Sequence, residues 1–106
     1  MKYINEFTEA IHSLSKVKVT FKAKKYGHSE ITRICAPMDY AFSKNYNDNF
    51  KRYHFWDFKG GSKPHPESLL ESQIISIQIL PESFKPESFV NWTTKWSIKR
   101  DWGSFS

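Results

Sequence analysis

"KVKVTFKAKK", residues 16–25, alternates apolar and basic side chains with a period of two. Val17, Val19, Phe21 and Ala23 fall on one parity, and Lys16, Lys18, Thr20, Lys22 and Lys24 on the other. A strand sends successive side chains to opposite faces, so this pattern predicts a half-buried β-strand. Its four lysines then share one face, about 7 Å apart wherever they are two residues apart. Such a stripe can track phosphates, and it can equally keep an edge strand from pairing with another chain.

Outward from this strand, Tyr3, Ile4, Phe7, Ala10, Ile11 and Leu14 recur at helical spacing, which predicts an amphipathic helix over residues 2–14. On the other side, "YGHSE" turns around Gly27, and "ITRICAP" returns as a second strand that Pro37 ends or pushes to an edge. Residues 38–50 hold Asn45, Asn47, Asp48 and Asn49 among aromatics and read as a loop. "RYHFWDF", residues 52–58, is a third strand stopped by Gly60 and Gly61, and "SKPHPE" is irregular around its two prolines. "SQIISIQIL" alternates as a fourth strand. Each Pro-Glu-Ser-Phe, at 81 and at 86, is expected to start a helical turn. Trp96, Ile98, Arg100 and Trp102 share one parity, which predicts a closing strand ending at Gly103.

The resulting class is α+β, mainly β. A small, strongly bent antiparallel sheet or SH3-like partly open barrel is capped by the N-terminal helix. At 106 residues the chain accommodates one domain: a helix over 1–15, the barrel over 16–90 and an aromatic strand or tail over 91–106. Nine Phe, five Tyr and four Trp supply a core from few side chains. A single cysteine, Cys35, excludes an internal disulfide and fits a reducing compartment. Polar residues interrupt the N-terminal apolar set and no stretch approaches a membrane span, so a cytoplasmic protein is expected, without membrane contact.

The net charge of +5 concentrates early and at the end of the chain, which suits an anionic partner or plain solubility. Catalytic and metal chemistry find no local pattern. His12, His28, His54 and His65 lie on separate elements without ligand spacing, and no flanking residues activate Cys35. Asp39, Asp48, Asp57 and Asp101 are likewise dispersed, and "KGGSK" lacks the spacing of a phosphate-binding loop. No cofactor and no metal are expected.

The aromatic strand splits into Arg52, His54, Trp56 and Phe58 on one face and Tyr53, Phe55 and Asp57 on the other. One set belongs to a core; the other is either covered or free to stack on bases.

Four pieces in order, "VKVTFKAK", "TRICAP", "RYHFWDF" and "QIISIQILPESFKP", resemble a WYL domain, the SH3-like β module of bacterial regulators, over about residues 16–90. The resemblance implies that Arg33 and Tyr53 belong to a ligand-sensing surface for anions or single-stranded nucleic acid and that Pro37 is structural. Arg52 stands where that family has Trp and His54 where it has Leu, and the segment before Lys16 is too short for a winged helix.

The function expected is that of a non-enzymatic module binding a single-stranded nucleic acid or nucleotide-like anion through Lys16, Lys18, Lys22, Lys24, Arg33, Arg52, Tyr53 and Trp56. The alternative is a protein-interaction module, an accessory subunit or inhibitor, docking through Trp92, Trp96, Arg100 and Trp102.

Overall fold

The computed structural model describes residues 2–58 and 63–106, so the Gly60–Gly61 stop and the "KGGSK" turn lie outside the described residues. Helix α1 (Ile4–Ser13) is followed by strands β1 (Ser15–Lys22), β2 (Glu30–Phe42), β3 (Lys51–Asp57), β4 (His65–Leu69) and β5 (Ile74–Ser83). They form one antiparallel open sheet in the order β4-β3-β2-β1-β5.

The predicted helix and the hairpin of the first two strands are present. Phe7, Ala10 and Ile11 of α1 are buried against the sheet. α1 ends at Leu14, whose left-handed backbone (φ 56°) turns the chain into β1, while its carbonyl accepts the Phe84 N–H at 2.9 Å. In β1, Val17, Val19 and Phe21 are fully buried and Lys18 and Lys22 exposed, as the alternation requires. Because β1 lies between β2 and β5, its lysines guard no edge.

Connection length forces the sheet to roll. β4 and β5 are its two outermost strands, yet only residues 70–73 join them. Five strands laid flat would separate their outer members by about 19 Å. Five peptide steps reach about 18 Å when fully extended, and a 3-10 turn over Glu71–Gln73 shortens that reach. The inner face of the roll carries α1: Phe7 meets Tyr53 and Phe55 edge to face, with ring centroids 5.1 and 5.3 Å apart.

Several expectations are corrected. Pro37 does not end the second strand, because a bulge between Pro37 and Asp39 absorbs it and β2 runs on to Phe42, into the expected loop. The bulge also reverses the facing of β2: Cys35 and Pro37 pair with inner Asp57 and Phe55, whereas Asp39 and Ala41 pair with outer His54 and Arg52. Residues 65–69 form an edge strand despite Pro66, since an edge leaves one row of backbone groups unpaired anyway. The first Pro-Glu-Ser-Phe ends β5; only the second starts a 3-10 turn, Pro86–Ser88. The tail forms no closing strand; after that turn it crosses the outer face, where Phe89 stacks on Trp56 with centroids 5.4 Å apart.

Candidate functional site

The two faces of "RYHFWDF" have separate fates. Tyr53, Phe55 and Asp57 are fully buried on the inner face. Tyr53 receives the Tyr3 N–H on its hydroxyl at 3.3 Å, and burial pushes that phenol up to about 12. A ring with no exposed surface has nothing to offer an incoming base, so Tyr53 is a core residue. Trp56 is half covered by Phe89. Arg52 is also buried: both its terminal nitrogens donate to Asp48 (3.0 and 3.1 Å), and its guanidinium lies 3.7 Å from the Tyr46 ring centroid.

The tail residues are equally divided. Asp39, turned outward by the bulge, accepts the backbone N–H groups of Ser97 and Ile98 at 2.8 and 3.0 Å. Arg100 lies between Trp96 and Trp102, 4.2 and 4.4 Å from their centroids, with its side chain fully buried. Trp102 is buried and donates its indole N–H to Ile11 of α1 at 2.9 Å. Arg100 and Trp102 therefore fasten the tail to the sheet and helix, and of these residues Trp92 alone is exposed, at 43 %.

At the inner face's open end sits a charged hub. Arg33 pairs with buried Asp57 at 3.3 Å. Glu67, also buried, receives Lys25 at 2.9 Å and the Tyr26 hydroxyl at 3.1 Å, and faces His65 at 3.3 Å. These bonds hold the turn between β1 and β2 against edge strand β4, closing the roll. Arg33 is thus engaged with a carboxylate. Asp57 and Glu67 also surround Cys35 with negative charge, although burial is the larger reason its thiol is held well above the usual range.

The accessible chemistry lies where β2 and β3 meet the tail. A cleft of about 410 Å³ is lined by Phe42, Trp92 and Trp96 as walls, His54 and Asp39 within, and Lys44 and Lys95 at its sides. His54 is fixed there by Ser68 Oγ at 2.7 Å and the Ala41 carbonyl at 2.9 Å. Phe42 is 58 % exposed and also borders a second cleft of about 630 Å³ with Phe50, itself 62 % exposed, and Lys51. Among the described residues none of Lys44, Lys51 and Lys95 pairs with an acid; Lys51 lies over the Tyr40 and Phe42 rings.

Exposed rings interleaved with unpaired ammonium groups suit ligands that carry both a flat ring and a negative charge. Of the expected site residues, only Trp92 and Trp96 line this cleft. Lys18, Lys22 and Lys24 are exposed elsewhere, the first two along β1 and Lys24 in the 3-10 turn Lys24–Tyr26, while Lys16 is half-buried against the Phe58 ring at 4.8 Å. Phe42, Lys44 and Lys95 carry no pattern in the sequence: residues 38–50 read as a loop, and only the bulge-extended β2 delivers Phe42 to the tail.

Comparison of the chain with protein-family models, with curated proteins and with solved structures finds no match in any of the three. Among the described residues no helix is long and apolar enough to cross a membrane.

Proposed function

We propose that the protein is a non-enzymatic, cytoplasmic binding module that takes single-stranded nucleic acid in the cleft between Phe42 and Trp92. The observation that carries this reading is the two exposed rings facing a concavity whose lysines lack acidic partners among the described residues. Bases stack on Phe42 and Trp92, each stack contributing roughly 1–3 kcal/mol, and Lys44 and Lys95 contact phosphates. Lys16, Lys18, Lys22 and Lys24 add long-range attraction rather than contacts. The ordered resemblance to a WYL domain supports the same ligand class, although Tyr53 and Arg33 are occupied by the core and by Asp57.

Fluorescence anisotropy with short labelled single-stranded DNA and RNA tests the reading: affinity that falls with salt and is lost in Phe42→Ala and Trp92→Ala supports it. Retention of full affinity by both variants would sink it. Docking of a protein partner is the second reading, favoured by exposed Trp92, since Trp is enriched at interface centres. Its signature is loss of a partner with Trp92→Ala at undiminished nucleic-acid affinity.

A further inference from the structure

We infer that the hub on β3 and β4 is a site for a divalent metal ion of the zinc class, held by Asp57, His65 and Glu67. No local spacing shows it, because the set is assembled across the β3–β4 pair. Asp57 stands directly opposite His65 in the register, and Glu67 follows His65 on the same face of β4. One ligand atom from each lies within 4.8 Å of the others.

The placement of His65 supplies a second observation. Its Nδ1 lies 3.2 Å from the Lys63 carbonyl, a contact that orients the ring, and its Nε2 is 3.3 Å from Oε2 of Glu67. That oxygen also accepts from the Tyr26 hydroxyl, and Lys25 lies 2.9 Å from the other carboxylate oxygen of Glu67.

A metal ion would take one ligand atom from each of the three residues. Bonds of about 2.0–2.1 Å in a tetrahedral shell place neighbouring ligand atoms about 3.3 Å apart, the spacing already present between His65 and Glu67. Contact of the second ring nitrogen with a backbone carbonyl is also how metal-ligating imidazoles are oriented. One nitrogen and two carboxylate oxygens favour zinc-like ions over the all-oxygen shells of magnesium or calcium. His65 is 30 % exposed on its side chain, which leaves an entry path and room for water in the fourth position.

Arg33 and Lys25 already offset the two carboxylates, so they compete with the ion. Lys25, exposed by half, can swing away.

The untagged chain, stripped with chelator, is titrated with Zn²⁺ by calorimetry and with Co²⁺ by visible absorption. One ion per chain is expected, with ligand-field bands of a four- or five-coordinate centre. His65→Ala weakens binding by roughly tenfold or more. Lys25→Ala tightens it by removing a competing cation, which a merely structural cluster has no reason to do. Exchange of His12 or His28 changes nothing. Absence of stoichiometric binding in the native chain, or equal binding by His65→Ala, would overturn the assignment and leave the cluster as a structural hub alone.

Discussion

Arg100 and Asp39 lie 3.5 Å apart, joining the tail to the bulged segment of β2. Burial lowers the Arg100 guanidinium to about 10, against the opposing pull of Asp39, so the pair is held by geometry at a desolvation cost. Asp39 also receives two tail N–H groups. Asp39→Ala strands all three donors and is expected to cost about 3–5 kcal/mol in urea unfolding. A loss below about 1 kcal/mol would show that the tail is not fastened here.

Glu67 is the corresponding fastening on the inner face. Glu67→Gln removes the charge that Lys25 addresses while keeping the shape, and Tyr26→Phe removes one donor. The first is expected to destabilise by about 2–4 kcal/mol and the second by about 1 kcal/mol. Their effects should be strongly non-additive in a double-mutant cycle, because both act through one carboxylate.

Alkaline stability follows from Cys35 and Tyr53. Both are held protonated in the native state beyond their ordinary values, Tyr53 up to about 12. The native state then binds more protons than the unfolded state above about pH 9, so stability falls as pH rises from there through the native tyrosine titration. Unfolding midpoints measured from pH 8 to 11 should decline, and Cys35→Ala should remove the earliest part of the decline. Thiol reagents should leave native Cys35 unmodified and label it in urea.

The β1 stripe should act on rates. Lys18→Ala with Lys22→Ala is expected to leave stability within about 0.5 kcal/mol. In nucleic-acid binding it should slow association at low salt without changing dissociation, as remote charges do. A faster off-rate would place the strand on β1 instead of in the cleft.

How far the sequence reaches is visible residue by residue. Helix α1, the Val17–Val19–Phe21 face of β1 and the two-faced strand 52–58 were legible because each has an unbroken period. Pro37, Pro66 and Pro81 misled, since a proline signals that one backbone donor is absent and says nothing of the bulge or free edge that tolerates the loss. The tail's alternating Trp96, Ile98, Arg100 and Trp102 mimicked a strand, whereas its backbone donors go to Asp39, 58 residues away in the chain. The candidate cleft was legible only in Trp92 and Trp96. Its other wall depends on a one-residue bulge and on cross-chain packing that no local pattern encodes.

The most direct measurement is the salt-dependent affinity of a short single strand for the native chain, for Phe42→Ala plus Trp92→Ala, and for Lys44→Ala plus Lys95→Ala. With bases stacked in the cleft, the ring variant loses roughly 2–6 kcal/mol of binding for two stacked bases, with its salt slope kept. The lysine variant should lower the slope of log K against log salt by about 0.7 for each phosphate contact removed. Affinity that is absent at low ionic strength, or indifferent to both variants, would contradict binding in the cleft.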